Sequence, residues 1–459
     1  MCICIPCYIS FSACLSPCQG IASSGIAVAK TIPDTPVIAD IERVRLAIPH
    51  LELLSQEMLD DIPNPDDDNL MWAFVGVAWF YEGQGQYNSA ETYRKNCLEA
   101  VQSRLGDNHP HVATSLNNLA ELYKYQGRYT EAEPLYLEAL DLRKRLLGDN
   151  DPLVATSLNN LAELYKYQGR YTEAEPLYLE ALDLRKRLLG DNDPLVATSL
   201  NNLAGLYKSQ CRYTEAEPLY LEALDLRKRL LGDNDPLVAT SLNNLAGLYK
   251  SQCRYTEAEP LYLEALDLRK RLLGDNDPLV ATSLNNLAGL YKSQGRYTEA
   301  EPLYLEALDL LKRLLGDNHP LVGTSLNNLA ALYRSQCRYT EAEPLYLEAL
   351  DLCKRLLGDN HPLVGTSLNN LAALYRSQGR YTEAEPLYLE ALDLCKRLLG
   401  ENHPNTKTCR NNLQRLRQQK KPTSLTWWQW IIVIPIVILW MPFYLLWMLT
   451  RWLVRRFIR

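Results

Sequence analysis

One seven-residue tract, Thr-Ser-Leu-Asn-Asn-Leu-Ala, recurs along this chain at a constant spacing of 42 residues. It begins first at Thr114, and a divergent copy of the unit precedes it. The later copies begin at Thr156, Thr198, Thr240, Thr282, Thr324 and Thr366. A fixed period of this length is typical of stacked helical units with atypical ends. We therefore predict eight repeats over residues 67–402 and a capping half-repeat helix over residues 403–421.

The first half of each copy predicts an amphipathic helix. Apolar residues stand at the i, i+3, i+4 and i+7 positions that form one buried helical face. In the first close copy these are Leu116, Leu119, Ala120 and Tyr123. Gly127 follows, and a glycine is the residue that most readily adopts the left-handed conformation after a helix end.

The second half predicts another helix, antiparallel to the first. Thr130 and Glu133 have the spacing of a capping box at its start. Its buried face is predicted to contain Ala132, Leu135, Tyr136 and Ala139. Gly148 ends this helix, and Asp151 with Pro152 provides the N-cap and first residue of the next one.

These residues resemble the tetratricopeptide consensus, and the unit length resembles the kinesin light chain subclass found in bacterial arrays. The resemblance rests on the small residues, aromatic residues and turn glycine of each copy: Leu119, Ala120, Tyr123, Gly127, Tyr129, Ala132, Tyr136 and Ala139. It implies an all-α, right-handed solenoid whose first helices line a concave groove that binds protein partners. A kinesin light chain-type motor adaptor is a less favoured reading, because no long heptad repeat precedes the array.

Composition and repetition together argue against nucleic-acid binding and catalysis. The formal net charge is −7, which provides no polybasic footprint for nucleic acid. Residues 193–234 and 235–276 are identical, so neither copy contains a residue that the other lacks. Because an active site needs an asymmetric set of differently tuned groups, we expect no enzyme and no cofactor.

Histidine and cysteine residues of the repeats are predicted to be structural. A histidine precedes proline in several inter-repeat turns, at positions 109, 319, 361 and 403, where other copies have aspartate. An N-cap role explains both residue types, and turns one repeat apart could not share a metal ion. Equivalent cysteines of neighbouring repeats would lie about 10 Å apart, too far for a disulfide. We therefore expect no metal site and a reducing compartment.

Polar residues opposite the apolar stripe of the first helix are the candidate groove contacts. One ladder consists of Asn117, Asn159, Asn201, Asn243, Asn285, Asn327 and Asn369. A second, cationic ladder consists of Lys124, Lys166, Lys208, Lys250, Lys292, Arg334 and Arg376. The amides could bind a peptide backbone or bond neighbouring repeats, and the sequence favours neither.

The charge of this predicted groove changes along the array. Acidic Glu121 and Glu163 are followed at the same register by glycine in three copies and then by Ala331 and Ala373. We therefore expect the groove to become more cationic and smoother toward its C-terminal end. An extended partner segment with acidic residues is the predicted ligand.

The two ends of the chain differ from the array. Residues 1–36 are predicted to be a poorly ordered, cysteine-rich leader, and residues 37–66 a helical segment with an acidic linker. Residues 427–450 lack any charged residue and reach about 36 Å as a helix, enough for a transmembrane helix. A basic tail, residues 451–459, follows.

The sequence therefore predicts a membrane-tethered scaffold or adaptor. The charges that flank residues 427–450 are nearly balanced and leave the orientation open. Because no convincing signal peptide is present, we expect a single-pass membrane protein with a cytoplasmic repeat domain. The alternative is the ligand-sensing arm of a signalling NTPase, although the chain contains no phosphate-binding Gly-Lys-Ser/Thr loop.

Overall fold

A computed structural model describes residues 17–62 and 68–420, together with residues 447–448 and 451. The chain divides into two compact units, residues 1–410 and 411–459. The helices are α1 (Pro17–Ala29), α2 (Ile38–Val44), α3 (Ile48–Glu57), α4 (Asn69–Glu82), α5 (Tyr87–Leu105), α6 (Pro110–Tyr125), α7 (Tyr129–Leu147), α8 (Pro152–Tyr167), α9 (Tyr171–Leu189), α10 (Pro194–Ser209), α11 (Tyr213–Leu231), α12 (Pro236–Ser251), α13 (Tyr255–Leu273), α14 (Pro278–Ser293), α15 (Tyr297–Leu315), α16 (Pro320–Ser335), α17 (Tyr339–Leu357), α18 (Pro362–Ser377), α19 (Tyr381–Leu399) and α20 (Pro404–Lys420). A short 3-10 helix, Leu59–Asp61, follows α3. The described structure is all-α, as the sequence predicts.

Eight helix pairs, α4–α5 to α18–α19, form repeats 1 to 8. Each first helix from α6 onward begins with an aspartate or histidine N-cap followed by proline. In repeat 5, for example, the Asp235 carboxylate accepts a hydrogen bond from the backbone N–H of Leu237 at 2.7 Å. Gly274 ends the second helix of this repeat with a φ of +79°, a conformation that only glycine adopts readily. Local signals in the sequence therefore set these helix limits.

The predicted capping box at the start of the second helix does not form. Helix α7 already begins at Tyr129, its N-cap is Arg128, and no side chain caps it. Thr130 consequently lies inside the first turn, where it cannot act as the N-cap. Glu133 instead accepts a hydrogen bond from Arg170 of the next repeat at 2.6 Å. A local motif is thus replaced by a contact between repeats.

The core of the array lies between the two helices of each repeat and the first helix of the next. Small residues allow this close approach, because Ala132 and Ala139 are fully buried beside Tyr136. Helix α8 also contacts α10, and the same contact recurs between later first helices. Such contacts among first helices show that these helices lie on the inner, concave side of the array.

The segment that precedes the repeats corrects the prediction of a poorly ordered leader. Residues 17–29 form α1, which packs on α3 and α4. Ala22, Ile26 and Ala29 of this helix are buried in the same hydrophobic cluster as Phe74 of α4. The apolar face of the first repeat is therefore covered by α1, which lies within the segment predicted to be the leader. Residues 1–16 lie outside the described part of the chain.

The array also returns on itself after six repeats. The turn of repeat 2 packs against the loop that begins repeat 8, an arrangement that we call the return contact. The His361 Nε2–H group donates a hydrogen bond to the backbone carbonyl of Tyr125 at 3.0 Å. The Nδ1 atom of the same ring accepts the helix-capping bond from the N–H of Leu363 at 3.1 Å. His403 contacts repeat 3 in a similar way, through the backbone of Tyr167.

The return contact uses a property of histidine that aspartate lacks. A carboxylate could cap the helix but could not donate a hydrogen bond to a carbonyl of the preceding turn. The return contact also explains why two of the turns, those at Gly127 and Gly169, have no room for a side chain. A Cβ at Gly127 would lie 2.5 Å from Pro362, and one at Gly169 would lie 2.8 Å from His403. At Gly295, in a turn without this contact, the space is open.

The described structure contradicts the predicted membrane localisation. Within the described residues, no helix is long and apolar enough to span a membrane. The repeat helices carry charged or polar residues on one face, whereas a spanning helix needs about 20 mainly apolar residues. The prediction of a single-pass membrane protein is therefore wrong on this evidence. Most of the predicted transmembrane segment lies outside the described residues, which include only Trp447 and Met448 of it.

Candidate groove of the first helices

The asparagine ladder lies on the inner face, but its amides are used within the array. Asn159 is buried and donates hydrogen bonds to the carbonyl of Ala155 at 3.1 Å and to Ser199 of the next repeat at 3.4 Å. Its Oδ1 atom accepts a bond from Asn202. The same cross-repeat bonds recur at Asn201 and Asn243. This geometry favours the structural alternative for the ladder, and peptide binding by these amides stays a prediction.

The cationic ladder begins with a lysine that is fully paired. The Lys124 side chain is only 6% exposed and contacts Glu163 of the next repeat at 2.8 Å and Glu121 at 3.2 Å. Burial lowers the pKa of Lys124, but Glu163 and its other partners outweigh that effect, and the net shift is upward. At this end of the groove the positive charge is therefore neutralised by the protein itself.

The following lysines occupy the same register without such a partner. Where repeat 3 has Glu163, repeats 4 to 6 have glycine. An ideal Cβ at Gly247 would lie 2.9 Å from the Lys208 Nζ atom and 3.4 Å from the hydroxyl of Tyr262. The lysine amine of one repeat thus lies over the glycine of the next, beside a tyrosine from a second helix. Among the described residues, no carboxylate forms an ion pair with Lys208, Lys250 or Lys292.

Burial and mutual repulsion destabilise the charged form of these lysines. Burial, together with the nearby charges of Lys292 and Lys208, lowers the pKa of Lys250 to about 8. The pKa of Lys208 is lowered by burial and by Lys166, and that of Lys292 by burial and by Arg334. The amines are therefore near enough to affect one another, and an anion between them would relieve this repulsion.

Buried tyrosine hydroxyls accompany the cations. In the described part of the chain, the hydroxyls of Tyr178, Tyr346 and Tyr388 are buried without a hydrogen-bond partner. The Nη1 atom of Arg376 is also buried and unpaired there. The equivalent Tyr136, which the helical spacing predicts only as a core residue, has a buried hydroxyl without a partner among the described residues as well. The shared 42-residue period of the tyrosine and lysine positions was the available signal that they belong to one surface.

The metal-ligating side chains and the turn cysteines are the other candidates for chemistry in the array. No group of three or more metal-ligating side chains occurs among the residues that the structure describes. Cys211, Cys253 and Cys337 are exposed in turns and adopt positive φ values near +60°. They occupy the turn-glycine position in repeats where the return contact is absent. Relaxed steric demand at this position explains why the turn accepts them.

Comparison with known families identifies the class of protein that this repeat defines. The tetratricopeptide repeat family matches the sequence in overlapping segments. The segments are residues 69–145, 113–187, 153–229, 195–271, 237–313, 279–343, 322–388 and 365–422. The chain belongs to the tetratricopeptide repeat family. This match confirms the tetratricopeptide resemblance seen in the sequence, and the 42-residue spacing fits the kinesin light chain-like subclass. The fold is typically a non-enzymatic scaffold for protein interactions.

Solved structures of other helical arrays are similar to parts of the chain. BtubC (BKLC) from P. vanneervenii is 29% identical with a TM-score of 0.40, and the match covers 50% of this chain and 90% of that one. A putative kinesin light chain with nearly identical repeats from Podosopora anserina is 23% identical with a TM-score of 0.38, covering 45% and 97%. A Rap protein complexed with competence and sporulation factor is 14% identical with a TM-score of 0.47, covering 87% and 98%. A comparison with curated proteins gives no match.

Proposed function

We propose that this protein is a scaffold that binds an extended, acidic segment of a partner protein along the inner face of repeats 4 to 8. The observation that supports the proposal is the change from paired to unpaired lysines. Lys124 has Glu163 as its partner at 2.8 Å, whereas Lys208 meets Gly247 at the same register. An extended segment could present one carboxylate to each successive lysine and tyrosine.

The energetic argument follows from desolvation. A half-buried amine without a counter-ion is unfavourable, so a ligand carboxylate that pairs with it gains a charge-assisted hydrogen bond of about 1.5–3 kcal/mol. Because each repeat adds one such contact, the affinity should increase with the length of the ligand. The glycines provide the space, since a side chain at Gly247 or Gly289 would meet the neighbouring lysine amine.

The test restores or removes the internal counter-ion. The probe is a flexible, fluorescently labelled glutamate-rich peptide, with a lysine-rich peptide of equal length as the control. Gly247→Glu copies the residue that pairs with Lys124, and it should weaken peptide binding about tenfold by neutralising Lys208. Glu163→Gly combined with Glu121→Ala is the matched reverse change, and it should strengthen binding by freeing Lys124 from both of its carboxylate partners.

Charge reversal along the ladder gives a second measurement by fluorescence anisotropy. Reversal at Arg334 and Arg376 should weaken binding more than reversal at Lys124, which is already paired. Equal losses at both ends of the groove, or no effect of Gly247→Glu, would contradict the proposal. Binding should also raise the pKa of Lys250, so calorimetry near pH 8 in two buffers should detect proton uptake.

A further inference from the structure

A pair of buried cysteines joins the last repeat to the helix that follows it. Cys395 lies on α19 and Cys409 on α20, and their Sγ atoms are 4.0 Å apart. The two side chains are 0% and 2% exposed, respectively. Cys395 and Cys409 occupy different positions of the repeat unit, and for this reason the distance between equivalent positions of neighbouring repeats could not reveal the pair.

The same two positions are in contact at other junctions of the array. In repeats 2 to 5 they are an arginine and a serine, as in the 2.8 Å contact between Arg143 and the Ser157 hydroxyl. At the junction after repeat 7 the arginine is replaced, and Cys353 lies 3.9 Å from Ser367. Only at the junction of α19 and α20, among the described junctions, are both positions cysteine. Two separate substitutions have therefore placed two sulfur atoms in contact.

We propose that Cys395 and Cys409 form an intramolecular disulfide when the protein meets a peroxide oxidant. A disulfide requires an S–S distance of about 2.05 Å, so the two sulfur atoms must approach by about 2 Å through side-chain rotation and a small helix shift. Hydrogen peroxide is small enough to reach a buried pair during local opening of the helix end.

The chemistry balances in two steps. The thiolate of Cys395 attacks one peroxide oxygen, which breaks the O–O bond and gives a sulfenic acid and hydroxide, and the proton released by the Cys395 thiol converts the hydroxide to water. The thiol of Cys409 then attacks the sulfenic sulfur, the S–S bond forms, and a second water leaves. The two thiols are oxidised and one peroxide is reduced. The hydrogen bond from Cys409 lowers the pKa of Cys395, which suits Cys395 to be the attacking thiolate.

The disulfide would link the start of α20 covalently to the last repeat. Within the described residues α20 has no second helix of its own repeat, so its packing on α19 is more readily lost than the packing within a complete repeat. A disulfide at this junction would restrict that opening under oxidising conditions, and a reductant would restore it.

The full-length protein is treated with hydrogen peroxide, remaining thiols are alkylated after denaturation, and peptides are mapped without reduction. We expect a linked peptide that contains Cys395 and Cys409, and its loss after dithiothreitol. Cys409→Ser, which restores the serine of the other junctions, should abolish the link. Ser367→Cys should add a second link, to Cys353, because that junction has the same register.

A second readout separates bond formation from simple oxidation. Amide hydrogen exchange at residues 404–410 should slow after peroxide treatment of the wild type and remain unchanged in Cys409→Ser. Separate alkylation of Cys395 and Cys409 after treatment would overturn the proposal, as would conversion of Cys395 to a sulfinic acid while Cys409 remains a free thiol.

Discussion

Replacing Gly127 with alanine is expected to open the return contact, whereas the same change at Gly295 is not. Both glycines end a first helix and have similar φ values, +70° and +76°. The two substitutions therefore carry the same backbone cost of about 1–2 kcal/mol for a left-handed residue other than glycine. They differ in their surroundings, because the new Cβ meets Pro362 at 2.5 Å in one case and open space in the other.

The additional cost at Gly127 follows from the contacts that must separate. An ordinary carbon contact is about 3.5–4.0 Å, so the loop at His361 must move by about 1 Å or more. That shift breaks the hydrogen bond from His361 to Tyr125, worth about 0.5–1.5 kcal/mol net, and loosens packing around Pro362. We expect Gly127→Ala to be about 1–3 kcal/mol more destabilising than Gly295→Ala.

The two variants are compared by urea unfolding and by hydrogen exchange. Global unfolding of a repeat array can occur in stages, so exchange provides the local test. Gly127→Ala should accelerate exchange at the amide of Leu363, which His361 caps, although this amide lies six repeats away in sequence. Equal destabilisation by the two variants, with Leu363 equally protected in both, would refute the return contact.

Changes at three further positions test separate parts of the structure. Burial lowers the pKa of His319 from 6.5 to about 4, so between these pH values the unfolded chain binds more protons than the folded chain. Thermal stability should therefore fall as the pH decreases from 7 to 4, and His319→Asn should reduce that dependence. Arg143→Leu should change the free energy of unfolding by less than about 1 kcal/mol, because Leu311 is buried at the same register. Arg143→Ala should lower the free energy of unfolding by about 1–3 kcal/mol, and urea unfolding measures both variants. Asp235→Ala should cost about 1 kcal/mol through loss of the N-cap, measured in the same way.

The groove shows how far the sequence could predict a site. The two ladders were recognised because their residues recur with the repeat, and the loss of Glu163 equivalents was visible directly. The contacts that each side chain makes could not be predicted from the sequence. Asn159 has the same spacing as Lys166, yet its amide bonds Ser199 and a neighbouring asparagine. Spacing places a residue on a helical face but does not show whether a neighbouring helix already satisfies it.

Near-identical repetition fixed the architecture of this protein at the level of sequence. The start of each first helix and the end of each second helix depend on local signals, and these recur in each copy. Only the tertiary structure shows which equivalent residues of different repeats have different surroundings. Gly127 and Gly295 are equivalent in the repeat, but only Gly127 meets a later turn of the array. The physical reason is that contacts between residues six repeats apart depend on the accumulated rotation of the stack, which no single repeat specifies.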